Sequence, residues 1–237
     1  MLDTNYKSIR HFSYLNKFLF IVPTIIIFLF FISLISLSSG AVSTTYNETF
    51  EYLLNFILNS SEIDPVKEKV ISNIRFPRII LSILVGASLA VSGASLQGIF
   101  KNPMADPGII GVSSGAAVGA VLVISLGFAS YSIFMLPVFS FIGGLSAALL
   151  VFLISRFASN SSSTAFILSG LAVSAFLNSL ISLILVSSKK FGELTSILNW
   201  LAGGFQDSRW EHVYITFPVV LISLPFLLIY SNKINIL

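Results

Sequence analysis

The sequence predicts an all-α, polytopic transmembrane helix bundle. Three observations carry that expectation: an apolar composition, long runs without ionisable side chains, and charge gathered into the connections between those runs. Hydrophobic residues make up 55% and charged residues 10% of the 237 positions, and the mean hydropathy is +0.94. Too little polar surface remains to coat a water-soluble globule of this size. The 22 Phe residues suit helix faces turned to lipid. The net charge of +3 is read as membrane-flanking charge, because no basic run or basic face accompanies it; no nucleic-acid partner is expected. With no Cys, and with His11 and His212 far apart, the chain offers no thiolate or histidine metal site, and no cofactor is expected.

A helix needs roughly 20 apolar residues to cross the hydrocarbon core, so uncharged runs of that length define the elements. The first span, about 18–37, follows Lys7, Arg10 and Lys17 and is too long for a signal-peptide core. The second, 79–100, is bounded by Arg78 and Lys101. No ionisable side chain occurs from Pro107 to Ser155, a run long enough for crossings at 108–126 and 134–155 with a turn near Gly127 to Ser132. Spans at about 164–186 and 213–230 complete six crossings in one transmembrane domain covering 1–237, and six crossings place both termini on one side. The three basic residues before the first helix have no basic counterpart just after it, which points to termini in the cytoplasm.

The 38–78 connection is then external. Thr45 and Glu48 fit a capping box ahead of Phe50, Leu53, Leu54 and Ile57. Asp64-Pro65 reads as an N-cap and first-turn proline ahead of a stripe of Val66, Val70 and Ile74. Two short helices are expected there, either as a structured external cap or resting on the membrane surface.

Because lipid does not drive helices together, close approach of small residues has to contribute much of their association. The second span carries Ser82, Gly86, Ala90, Ala94 and Gly98 at every fourth position; the third carries Gly111, Gly115 and Gly119; the fourth Ser140, Gly144 and Ala148; the fifth Gly170, Ser174, Asn178 and Ser182. These four helices are expected to pack as one bundle, with the first and last spans nearer the lipid. The same stripes could instead line a pathway. No Asp, Glu, Lys, Arg or His lies within the spans, so a proton-coupled carrier mechanism has no titratable group to work with. Asn178 and Gln97 are the polar exceptions; each either bonds a neighbouring helix or faces a translocation path.

The densest pattern is Arg75-Phe76-Pro77-Arg78, then LVGASLAVSGASLQGIFKNPMADPGIIGVSSGAAVGA from Leu84 to Ala120. Pro77 biases Phe76 away from helix, and both arginines fall at the outer rim of the second span. Lys101 to Gly108 is a tight connection in which Asn102, Pro103, Asp106, Pro107 and Gly108 end one helix and open the next. This stretch closely resembles the FecCD-type permeases of bacterial importers for ferric siderophores, haem and cobalamin. It has their R-x-P-R entry, LVG-x-x-LA-x-SGA-x-LQ helix, NP-x-AdP-G connection and GVSSGAA start, in order. The LSG-x-A element at Leu168 to Ala172 and the W-x-x-GG-x-x-x-x-x-W pattern from Trp200 to Trp210 resemble later landmarks more loosely.

The resemblance implies a multi-pass subunit of the bacterial plasma membrane, paired with a second copy or a paralogue around a shared pathway. It also implies two cytoplasmic ATPases and an external substrate-binding protein. The chain itself would be no enzyme; iron bound to a siderophore is the cargo implied first. Arg75 and Arg78 would face acidic residues of the binding protein, a pairing that guanidinium geometry suits, although the same arginines could simply anchor the helix at the headgroups. Such permeases usually have about ten spans, so the sequence reads as a truncated or split member. A non-transporting scaffold or inactive remnant is the alternative function.

Overall fold

The computed structural model describes residues 2–40, 42, 44–58, 64–157, 163–188 and 190–236. Lys189 and the side chains of Lys7, Arg10, His11, Lys17, Ile57 and Lys233 lie outside that description. Among the described residues every regular element is helical. Five stretches are long and apolar enough to cross a membrane: Leu19–Ser38, Pro65–Phe100, Met135–Phe157, Ser163–Ser187 and Trp210–Ser231. Large apolar side chains stand on their outer surfaces, Phe20 at 80% exposure and Ile222 at 74% among them. Such a surface would drive aggregation in water and is the ordinary one in lipid. The chain forms a multi-pass membrane protein.

One compact unit comprises Met1–Ile80 with Ser208–Trp210. It contains α1 (Leu2–Ser38), α2 (Tyr46–Leu58), α3 (Pro65–Val70), a π-helical turn (Ile71–Arg75) and the start of α4 (Phe76–Phe100). The two short helices begin where their caps specify. The Thr45 N–H donates to Glu48 Oε2 at 2.8 Å, and Asp64 Oδ1 accepts from the Val66 N–H at 2.9 Å. Lys67 Nζ reaches Glu48 Oε1 at 2.7 Å, tying α3 to α2. The inward faces differ from the expected ones. Val66 and Ile74 are exposed, whereas Ile71 is fully buried with Leu37 and Tyr52. The physical reason is the π-turn, which breaks the four-residue stripe before it can become a packing face.

The second unit comprises Leu81–Asp207 with Glu211–Leu237. Its centre is α5 (Val112–Ser125), α6 (Met135–Phe157) and α7 (Ser163–Ser187), packed on one another. The third expected crossing is where the structure departs most from the reading of 108–126 as one helix. A 3₁₀ turn, Pro107–Ile110, is followed by Gly111 in a left-handed conformation (φ 82°) and only then by α5. The 14 residues of α5 rise about 21 Å, short of the roughly 30 Å of a hydrocarbon core. A further helix, α8 (Phe191–Ala202), occupies what reads as a connection, and its Ile197 is fully buried against Val121 and Ile181. The chain ends in α9 (Trp210–Ile236), which contains Pro218 and Pro225.

Candidate functional site

The R-x-P-R element forms the junction between the π-turn and α4. Up to Ile71 the backbone keeps α-helical register, the Ile71 N–H bonding Lys67 O and Glu68 O. The Phe76 N–H then bonds Ile71 O, five residues back. Ser72 O thereby loses its usual partner, and Pro77, next in line, has no N–H to offer. The indole of Trp210 fills the place: its Nε1 donates to Ser72 O at 2.9 Å, and its ring lies 6.1 Å from that of Phe76. Pro77 itself is fully buried.

The two arginines do different things. Arg75 is 6% exposed. Its Nη1 donates to Leu37 O at 2.5 Å and to Thr44 Oγ1 at 2.6 Å, and its Nη2 to Val42 O at 2.5 Å. The Thr44 hydroxyl in turn donates a hydrogen bond to Ser38 O at 2.9 Å. Leu37 and Ser38 close α1, so the guanidinium takes one carbonyl that the helix end leaves without a partner, Leu37 O, where the helix dipole favours a cation, and joins it to the loop carbonyl of Val42. Arg78 lies in the first turn of α4 and is half-buried. Sequence spacing does not distinguish the two. The missing N–H at Pro77 was the available signal for a register change; nothing in the sequence pointed to Trp210 as its partner or to Thr44 as Arg75's.

The Lys101 to Gly108 connection holds itself rigid. Lys101 has φ 48°, Asn102 Oδ1 accepts from the Met104 N–H at 2.9 Å, and Asp106 Oδ1 accepts from the Gly108 N–H at 2.7 Å. Pro107 opens the 3₁₀ turn that Asp106 caps. Gln97 bonds back onto this loop through Pro103 O at 3.0 Å.

Of the small residues, the structure brings one set together and leaves another apart. A Cβ on Gly115 would strike Gly143 O, one on Gly119 would strike Phe139 O, and one on Gly170 would strike Ile109 O. Backbones touch at these points, so α5 meets α6 through Phe139, Gly143 and Ala147 and also through two members of the expected stripe, Ser140, whose N would lie 3.2 Å from a Cβ on Gly119, and Gly144, where a Cβ would lie 3.2 Å from Val112 O. Gly111 packs beneath α7, and a Cβ there would lie 3.3 Å from Ser174 Oγ. On α4, by contrast, Gly86 has open space around its Cα, Ala90 and Ala94 are exposed, and Gly98 is half-buried. Asn178 is exposed on α7, sharing a face with Ala175, Ser179 and Ser182. Among the described residues no cluster of His, Cys, Asp and Glu is arranged to hold a metal ion.

The family model that matches is the FecCD transport family, over residues 25–237. The chain is 43% identical over 168 residues to the cobalamin import system permease protein BtuC of Halobacterium salinarum, covering 71% of this chain and 44% of that protein. It is 42% identical to the molybdate import system permease protein MolB of Haemophilus influenzae, over 74% of this chain and 51% of that one. The Fe(3+) dicitrate transport system permease protein FecC of Escherichia coli is 36% identical over 72% of this chain and 51% of its own. Among solved structures, one described as an inward-facing metal-chelate type ABC transporter matches with a TM-score of 0.76 and 36% identity, covering 91% of this chain and 63% of that one. The chain spans about half the length of the curated relatives named here.

Proposed function

The chain belongs to the FecCD transport family, and from that premise we propose that it forms the membrane-spanning permease of an ATP-driven importer. Cargo moves by alternating access between two such subunits, identical or paralogous, while cytoplasmic ATPases supply the energy and an external binding protein delivers the cargo. The family match over residues 25–237 carries this reading. The absence of Asp, Glu, Lys, Arg and His from the expected spans supports it, since the energy has to enter from another subunit. The basic residues ahead of α1 put the N-terminus in the cytoplasm of a bacterial cell, which leaves the R-x-P-R turn, one crossing later, outside as the docking edge. The exposed polar face of α7 around Asn178 contributes to the pathway, where water or the partner subunit satisfies the amide that lipid would not.

The cargo is a metal chelate, with iron bound to a siderophore the first choice. Relatives named for iron dicitrate and cobalamin support the class, and the molybdate relative names the competitor to exclude. The test is to express the complete locus, reconstitute the importer in proteoliposomes and measure ATP-dependent uptake of ferric siderophores, haemin, cobalamin, iron citrate and molybdate in competition. Saturable ferric-siderophore uptake that the others do not displace is expected. Preference for another solute would overturn the cargo, and failure to take up any of them would overturn the permease reading.

A further inference from the structure

We infer that α2 lies in the membrane interface, with Tyr46, Phe50 and Leu54 set among lipid headgroups and the upper acyl chains beside the end of α1. Neither the cargo nor the docking edge enters into this.

The helix has three faces where an external cap needs two. Thr49 and Tyr52 are buried, and Tyr52 meets Leu37 and Ile71 in the core of its own unit. Asn47, Glu48 and Glu51 form a polar face, and Lys67 holds Glu48 there through a 2.7 Å ion pair. Between these two faces stand Tyr46, at 67% exposure, Phe50, at 57%, and Leu54. At about 100° per residue the three fall within about 80° of one another, and Phe50 points about 160° away from Glu48. A helix surrounded by protein and water alone would carry polar groups on all of its outer circumference. Here a second apolar face is left over.

The depth of α2 identifies what covers it. The lipid-facing surface of the first span runs along Leu19–Ser38, with Ile32 and Ile35 exposed near its end. Tyr52 packs on Leu37 in the last turn of that span, and Leu53, Phe76 and Ile79 gather on the same cluster. The middle of α2 is thus anchored between the last turn of one span and the first turns of the next, where hydrocarbon gives way to headgroups. Exposed apolar side chains at that depth meet lipid. Their chemistry suits the boundary: a ring with a hydroxyl at Tyr46, a plain ring at Phe50 and an aliphatic chain at Leu54. Because Glu48 and Glu51 are its only charges, α2 is held there by apolar burial and not by attraction to anionic headgroups.

Depth-resolved quenching tests this. Phe50→Cys, Tyr46→Cys and Glu51→Cys are made one at a time in a chain that has no cysteine of its own. Each is labelled with an environment-sensitive fluorophore before the complete importer is assembled in nanodiscs of phosphatidylcholine and phosphatidylglycerol. Lipid brominated high on its acyl chains is expected to quench the labels at positions 46 and 50 about twofold more than the label at 51, and aqueous iodide to reverse that order. Adding the binding protein should leave the lipid quenching at 46 and 50 as it was. Labels at 46 and 50 as open to iodide as the one at 51 would return the face to water and overturn the inference. Shielding from both quenchers would overturn it too, since another protein segment would then cover the stripe, and so would loss of lipid quenching when the binding protein docks. Should Phe50→Cys not fold, Tyr46→Cys decides alone, its side chain being the more exposed of the two.

Discussion

At Gly40 the protein has no room for even one additional carbon, because the Arg75 guanidinium lies where a Cβ would go. A flexible arginine could ordinarily swing aside, but this one is held by three hydrogen bonds. Gly40→Ala is therefore expected to cost about 1–3 kcal/mol, read as a lower midpoint of thermal unfolding in detergent. Glu48 offers a second residue-scale test. Its carboxylate accepts from Lys67 Nζ and from the Thr45 N–H, and these bonds, the one from Lys67 first, hold it below its ordinary value near 4.5. A carboxyl group whose value is depressed on folding contributes stability above its unfolded value and loses it as pH falls through the folded one. Protection of the amides at the start of α2, taken relative to their intrinsic exchange rate at each pH, should accordingly fall on acidification below about pH 4.5, and Glu48→Gln should remove that loss. The caps at Thr45 and Asp64 were legible because they are local chemistry written within three residues. The Arg75 bonds were not, since they join positions more than thirty apart.

Among the helices, charge was a good guide to where long elements stop and a poor guide to short ones. Arg78 and Lys101 bracket most of α4, but α8 has only 12 residues and carries Glu193, so a search for uncharged runs of membrane length passes over it. The small-residue stripes were read from spacing alone, which names a face without naming its neighbour. On α5 that face meets the α6 backbone; on α4 the corresponding face stands open at Gly86. The two helices should therefore respond differently to the same change. Gly119→Ala has to push α5 and α6 apart, and is expected to lower stability by roughly 2 kcal/mol or more and to reduce the yield of folded protein. Gly86→Ala meets nothing within this chain and, measured the same way, should be neutral or slightly stabilising, as alanine is the better helix former.

For the molecule as a whole, the membrane class followed from composition, and the family followed from one dense stretch between Arg75 and Ala120. How residues distant in sequence meet did not follow, because a helical pattern fixes phase and length but not partners. The lack of any cysteine makes the remaining assignment directly testable. With Asn178 on a water-lined path, Asn178→Cys in the assembled importer should react with a membrane-impermeant thiol reagent and be protected by cargo. Ile222→Cys, on the apolar surface of α9, should stay unlabelled. Equal labelling at both positions would remove Asn178 from the pathway. The π-turn bears on how such a chain can change over time. Helices usually reject single-residue insertions and deletions, since each turns everything downstream by about 100° around the axis. Here one surplus residue is already absorbed between Ile71 and Phe76, with Pro77 and Trp210 accommodating it. Deleting Asn73 would thus turn the bond from the Phe76 N–H to Ile71 O into an ordinary α-helical one and leave the faces of α4 where they are, so this turn is a place where the chain can lose a residue without re-aiming the helix beyond it.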